Sequence, residues 1–328
     1  MTSTLKLKLT FSQAIDGFVY DKETAGLSPH TLADYGNAFS KFKAYLDGDP
    51  LLNEITADQV REFLHDLGTK PQPRGGIVKQ PPKPLSKKSI LNIHTALSSL
   101  WTWAEREGYV DHHIIRDVPR TKPEKRVINP FTEADVRAML EVCDRSISYA
   151  RPGKRRCDHG RPTALRDRVI ILILLDTGMR ASELCELTIK EVDHKNRKIL
   201  AFGKWSKERV LRFSTRTAKA VWQYLTTRPD ASLGDRFIVT SDGRDYNRQA
   251  LLQLINGIGK RAGVPDAHPH RYRHTFAINY LRNGGDPYTL QALLGHETME
   301  TVQIYLQIAQ ADLDSTHDRA SPVENWSL

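Results

Sequence analysis

Residues 177–184 read Thr177-Gly178-Met179-Arg180-Ala181-Ser182-Glu183-Leu184, a glycine turn feeding a helix. Arg180 and Glu183 are three apart, so on a helix the carboxylate can fix the guanidinium. Four further segments follow in order. Ile199 to Phe202 and Val210 to Phe213 are short β-type runs joined by Gly203-Lys204-Trp205-Ser206-Lys207, a hairpin pattern with Lys204 in its turn. His268-Pro269-His270-Arg271-Tyr272-Arg273-His274-Thr275 places His270 and Arg273 on one helical face. Leu293-Leu294-Gly295-His296 sets a histidine just past a glycine helix stop. Tyr305, in Thr301-Val302-Gln303-Ile304-Tyr305, follows His296 by nine residues. Singly these are ordinary features, such as a surface ion pair or a solvated turn lysine.

Phosphodiester exchange needs a nucleophile, positive charge on the non-bridging oxygens, and a proton for the leaving oxygen. Arg180 and Arg273 suit the second task, because a planar guanidinium holds two phosphate oxygens in fixed geometry. Tyr305 is the candidate nucleophile. Its phenol is a tolerable leaving group, so a phosphotyrosine step is reversible without nucleotide energy.

The rest of the chain agrees with a polyanionic partner. It has 328 residues and a net charge of +9, and at ~150 residues per domain this length suggests two domains. Lys70 to Lys88 contains six basic residues and no acidic one; Arg145 to Arg168 contains eight basic residues against two acidic ones. These two stretches hold more positive charge than the chain's net total, so the remainder is slightly acidic. The pattern is that of two basic segments facing phosphates. The longest apolar run, Val169 to Leu175, is seven residues, too short to span a membrane. Cys143, Cys157 and Cys185 are too scattered for a disulfide framework and suit a reducing compartment. Residues 1–11 lack the apolar segment of a secretory signal, and no G-x-x-x-x-G-K-[ST] loop is present.

Residues 11–116 read as four helices. Ser12 is expected to cap the first, Ser28-Pro29 opens the second, Thr56 the third, and Ser86 or Ser89 the fourth, which stops at Gly108. The aromatic stripe of the second helix, including Tyr35, Phe39, Phe42 and Tyr45, is read as core rather than a base-stacking surface. The proline-rich basic segment from Lys70 to Lys88 is expected to be non-helical. Proline-bounded residues 117–131 read as a linker, and Thr132 with Asp135 opens a second unit. Val169 to Leu175 fits a buried strand or part of a longer helix.

Taken together, T-G-x-R-x-x-E-L, the hairpin lysine, H-x-x-R, G-H and a tyrosine nine residues on resemble the tyrosine recombinase (phage integrase) family. The resemblance covers the whole second unit, and the helical first unit looks like the family's core-binding domain. It implies a mainly α fold with a small antiparallel sheet: a SAM-like helical DNA-binding domain over 12–116, the linker, a catalytic domain over 132–312 and a tail over 313–328. It also implies cleavage and rejoining of DNA through a 3′-phosphotyrosine and a Holliday junction, with no cofactor, no metal and no ATP. By this resemblance Lys204 gives a proton to the leaving 5′ oxygen, His270 helps to accept the tyrosine proton, His296 hydrogen-bonds the phosphate and Glu183 supports Arg180. The implied partners are double-stranded target sites clamped between the two domains, a homo-tetramer in the synaptic complex, and an accessory DNA-bending or directionality factor. No membrane is expected, and the expected location is the cytoplasm, at the nucleoid. Lys79, Lys83, Lys87 and Lys88, with Arg151, Lys154, Arg155 and Arg156, are expected along the DNA backbone. Trp326 and Leu328 are the expected apolar anchors between neighbours. A separate arm-site-binding domain is not expected.

Trp205 stands where many relatives have glycine, and Lys207 follows Lys204 by three residues; Lys204 is preferred as the acid. Cys157 and His159 are read as part of a basic loop, since two ligands do not make a metal site. Three rivals remain. A metal-dependent relaxase-type nuclease is suggested by His268-Pro269-His270 but leaves Arg180, Lys204 and His296 without a role. A type IB topoisomerase shares the chemistry, and a regulator that only binds DNA has no need of Tyr305.

Overall fold

The computed structural model describes residues 8–73, 81–124, 128–144, 160–203, 208–296 and 298–309. The chain divides into two compact units, Met1–Arg126 and Val127–Leu328. The described structure is mainly helical with one small antiparallel sheet.

The first unit contains α1 (Phe11–Thr24), α2 (Pro29–Tyr45), α3 (Ala57–Thr69) and α4 (Lys87–Arg106). Ser28, Thr56 and Ser86 each accept a hydrogen bond from the backbone N–H three residues on, starting α2, α3 and α4. Helix α1 departs from expectation. Thr10 caps it through a reciprocal box with Gln13, while Ser12 lies inside the helix and bonds Asp49 through both its N–H and its hydroxyl. The aromatic stripe is core: Phe39 and Phe42 are buried with Phe11, Phe18, Phe63, Leu97 and Trp101. Phe11 and Phe42 meet edge to face at 5.4 Å. The basic proline-rich segment is also shorter than expected. Lys87 and Lys88 form the first turn of α4 behind the Ser86 cap, and the segment's two limbs meet at a bridge between Gln72 and Lys83.

The second unit contains α5 (Glu133–Asp144), α6 (Ala164–Thr177), α7 (Ala181–Glu186), β1 (Val192–Asp193), β2 (Lys198–Phe202), β3 (Glu208–Arg212), α8 (Thr215–Leu225), α9 (Arg248–Ala262), α10 (Pro269–Arg282), α11 (Pro287–Leu294) and α12 (Glu300–Ala309). The strands pair in the order β1-β2-β3, all antiparallel, with Lys198 opposite Arg212 and Phe202 opposite Glu208. Thr132 and Asp135 cap α5 reciprocally, as their spacing suggests. Val169 to Leu175 belongs to α6. Val169, Ile170, Ile171, Ile173 and Leu174 are all fully buried, so the helix is apolar almost all round and shows no amphipathic period. Its core continues into the sheet, α8 and α9. A smaller core joins one face of α10 to α11 and α12 through Ala277, Ile278, Leu290, Leu294 and Val302. Among the described residues no helix is long and apolar enough to cross a membrane.

The basic stretch from Arg145 to Arg168 is partly structural. Arg161 and Arg166 both pair with Asp167, at 3.0 and 2.7 Å, and that carboxylate is wholly buried. Arg168 pairs with Asp144 at 2.9 Å. These three cations are engaged within the fold, so a charge count of the stretch overstates what it can offer a phosphate.

Candidate active site

Each element ends where its functional side chain is needed. Helix α6 stops at Gly178, whose left-handed φ of 61° suits glycine. A Cβ there would lie 2.4 Å from the Phe276 ring. Two residues later Arg180 is the N-cap of α7 and Glu183 is the third helical residue. The Glu183 carboxylate therefore accepts from the Arg180 backbone N–H at 2.7 Å and from its Nη1 at 2.8 Å. With Glu183 only 6% exposed, the pair is an internal fixture and not a surface decoration. Burial alone would raise the carboxyl's pKa, but hydrogen bonds from Arg209 and Arg180 outweigh it and hold it below the ordinary value.

Helix α10 starts with His268 as cap and Pro269 in its first turn, and Arg273 follows one turn in. Arg273 is 2% exposed. Its Nη1 donates to the Gly178 carbonyl at 3.0 Å and its Nη2 to the Leu294 carbonyl at 2.7 Å. Burial, then the neighbouring Arg180 charge, lower its pKa to about 10, so it stays cationic at neutral pH. Arg180 Nη2 donates to the Gly295 carbonyl at 2.9 Å. Gly295 ends α11 in the left-handed conformation expected of a helix stop, and His296 comes next. The His296 Nδ1 is buried and unpartnered among the described residues.

Tyr305 reaches the same place from α12. It is 1% exposed, and its hydroxyl lies 2.9 Å from the Nδ1 of His274. The His274 ring meets that of His270 at 4.3 Å between centroids, and the His296 ring lies 6.3 Å from that of Tyr305. Burial and then His270 lower His274 to about 4; burial and then Arg273 and Arg180 lower His296 to about 4. His270 is also lowered, by burial and by Arg273. All three imidazoles are thus neutral at pH 7, and the Tyr305 hydroxyl shares a hydrogen bond with the Nδ1 of His274. Burial raises the phenol's pKa, against an opposing effect of Arg273.

These shifts set a pH dependence. A histidine with an ordinary value of 6.5 that is held at about 4 in the fold binds its proton only when the chain unfolds. The unfolded state therefore takes up protons in that window, and stability falls as pH drops from about 6.5 towards 4. Thermal unfolding across that range should show Tm falling. Replacing His274 by Asn, which does not titrate there, should make the fall shallower.

The fold gathers Arg180, Glu183, His270, Arg273, His296 and Tyr305 into one cluster. Lys204 lies outside the described residues, as do Lys79, Arg151, Lys154, Arg155 and Arg156, and with them Cys157 and His159. Lys83, Lys87 and Lys88 are exposed, and Lys87 pairs with Glu124 at 3.1 Å. Sequence reading missed two members of the cluster. His274 was legible in principle, since it stands one helical turn after His270. Arg209 was less so. Strand alternation puts it on the inward face of β3 with the buried Leu211, but nothing in the sequence named its partner. It donates Nη1 and Nη2 to the two oxygens of Glu183, at 2.9 and 2.6 Å.

A family model described as the phage integrase family matches residues 129–312, and one for the phage integrase N-terminal SAM-like domain matches residues 16–108. Tyrosine recombinase XerC of Mycobacterium sp. (strain KMS) is 32% identical over 264 residues, covering 78% of this chain and 85% of that protein. Tyrosine recombinase XerC of Listeria innocua is 29% identical over 305 residues, covering 90% and 92%. Among solved structures, the Tn1549 transposon integrase in complex with a circular intermediate DNA shares the fold with a TM-score of 0.71 at 17% identity, covering 94% of this chain and 99% of that one. The XerH site-specific recombinase bound to palindromic difH substrate does so with a TM-score of 0.67 at 20% identity, covering 94% and 84%. With its buried Arg273 beside Arg180 and its tyrosine beside histidines, this chain belongs to the phage integrase family, the tyrosine recombinases.

Proposed function

We propose that this tyrosine recombinase cuts and rejoins duplex DNA at specific sites through a 3′-phosphotyrosine. Tyr305 Oη attacks the scissile phosphorus; an Oη–P bond forms, the P–O5′ bond breaks, and the ester's energy is kept in the protein–DNA link. Arg180 and Arg273 hold the non-bridging oxygens, His296 hydrogen-bonds the phosphate, and Lys204 protonates the departing 5′ oxygen. The tyrosine proton leaves towards the His270–His274 pair. The observation that carries this reading is the clustering of two fixed guanidiniums with the tyrosine hydroxyl that is paired to His274. In the present conformation that hydroxyl is enclosed, and α12 moves before it meets a phosphate. No metal or nucleotide takes part. His268, half of the spacing that suggests a relaxase, uses its Nδ1 to accept from the Arg271 N–H as the cap of α10.

Covalent trapping on nicked suicide duplexes in EDTA tests the reading, once the site has been selected from DNA flanking the gene. A protein–DNA adduct is expected. An adduct that needed added metal would favour the relaxase reading; tight binding without any adduct would leave a DNA-binding protein. Relaxation of supercoiled plasmids lacking a site would favour a type IB topoisomerase.

Four copies assemble on two sites, exchange strands in pairs through a Holliday junction and act at the nucleoid in the cytoplasm, with an accessory DNA-bending or directionality factor where direction is imposed. Trp326 and Leu328, outside the described residues, anchor neighbours. Ending the chain at Ser315 should then leave adduct formation in place and abolish pairing of two sites on a native gel; normal pairing would refute the anchor. The basic segments lie along phosphates. Neutralising Lys79, Lys83, Lys87 and Lys88 should weaken binding to all sequences and flatten log K against log salt by about 0.9 for each phosphate no longer neutralised. An unchanged slope would place those lysines off the DNA.

A further inference from the structure

Three guanidiniums close on the end of α11, one for each of three successive carbonyls. Arg209 Nε donates to Leu293 at 2.8 Å, Arg273 to Leu294 at 2.7 Å and Arg180 to Gly295 at 2.9 Å. The last carbonyls of a helix lack intrahelical donors and carry its partial negative charge, so they attract cations. Two of the three arginines are those assigned to the phosphate. The third, Arg209, belongs to neither the phosphate grip nor the proton path.

We propose that Arg209 is a positioning residue for strand transfer, acting through Glu183 on Arg180. Three features of its geometry support this. Its side chain is 12% exposed, and its Nε and both terminal nitrogens already donate within the protein. It is therefore committed inward, whereas the Arg180 side chain is 35% exposed. Its bidentate grip then fixes the plane of the Glu183 carboxylate, because two parallel N–H donors meet two oxygens. Each oxygen of that carboxylate also accepts one bond from Arg180, from Nη1 on Oε1 and from the backbone N–H on Oε2. Glu183 is thus a rigid plate between two arginines. Remove Arg209, and the plate can turn, leaving the Gly295 carbonyl as the other fixed point that the structure gives the Arg180 guanidinium.

The residue also ties β3 to α11 through Leu293. One side chain thereby links the return strand of the hairpin, the carboxylate behind Arg180 and the helix end that precedes His296. A lysine in its place would keep a positive charge beside Glu183 but lose the fork.

This inference rests on the strand-transfer reading, and its test separates the two. Wild type, Arg209→Lys and Lys204→Ala are compared on nicked suicide duplexes with an ordinary scissile phosphate and with the bridging 5′ oxygen replaced by sulfur. A 5′ thiolate departs without a donated proton, so it restores a variant that lacks only the general acid. Arg209→Lys is expected to bind the site and melt as wild type does. Its adduct formation should slow on the order of 10- to 100-fold, the cost of misplacing a group at the reacting centre. Sulfur should restore Lys204→Ala and fail to restore Arg209→Lys. A wild-type rate for Arg209→Lys would overturn the proposal; so would rescue by sulfur, which would place the residue on the leaving-group side. If lysine leaves the buried carboxylate too poorly paired to fold, Arg209→Met combined with Glu183→Gln removes both charges at similar volume, with the same expectations. A wild-type chain that makes no adduct would instead overturn the strand-transfer reading, and this proposal with it.

Discussion

Tyr305→Phe is expected to form no covalent adduct on any duplex while binding the selected site as tightly as wild type. The substitution removes one oxygen and nothing else. Among the described residues that oxygen makes one hydrogen bond, to His274, and the net worth of such a bond is about 1 kcal/mol. The ring stays in the small core formed with Ala277, Ile278, Leu290, Leu294 and Val302, where full burial of an aromatic ring contributes roughly 1.5–3 kcal/mol. The larger contribution is kept, so the variant folds and α12 keeps its place. A denaturing gel for adduct beside a gel shift for affinity reads both halves of the expectation. Any residual adduct would place the nucleophile elsewhere.

Arg273→Lys is expected to lose cleavage on the order of 10²- to 10³-fold, equivalent to about 2.7–4 kcal/mol of transition-state stabilisation, with little change in site affinity. Arg273 gives one donor to Gly178 and another to Leu294. An ammonium cannot reproduce that fork, and one buried carbonyl is left without its donor. The charge itself is also at risk. Burial lowers the guanidinium only to about 10, but a lysine starts from about 10.4 and the same surroundings bring it much closer to neutrality. Single-turnover adduct rates should therefore fall further as pH rises in the lysine variant, as the ammonium loses its proton. Rates that match wild type at every pH would remove Arg273 from the phosphate.

Most of the scaffold was legible because its signals are local. Ser28-Pro29, Thr56, Ser86 and Thr132 cap helices within their own first turns, and the stops at Gly108, Gly178 and Gly295 need a positive φ. Where local signals competed, the reading slipped. Thr10 and Ser12 both offer a capping oxygen, and the choice fell to Gln13 and to Asp49, the latter 37 residues away. Helix α6 could not be told from a strand, because a helix buried on every side has no polar face to set its period. The candidate site shows the same division. The family pattern gives Arg180, His270, Arg273, His296 and Tyr305 as five points along a line. That His274 meets the tyrosine hydroxyl from 31 residues away, and that Arg209 closes on Glu183 from 26, follows only once α10, α12 and β3 are folded together.

The end of α11 also bears on how this chain can change in length. Each helical residue turns about 100° and rises 1.5 Å, so one residue added or deleted in the last turn of α11 would swing all three carbonyls away from Arg209, Arg273 and Arg180 at once. No single substitution could restore them, because their donors come from β3, α10 and the start of α7. The exposed turn from 240 to 244, between α8 and α9, hydrogen-bonds only within itself among the described residues. Homologous chains should therefore differ freely in length there, while the count of residues from Asp286, the cap of α11, to His296 stays constant.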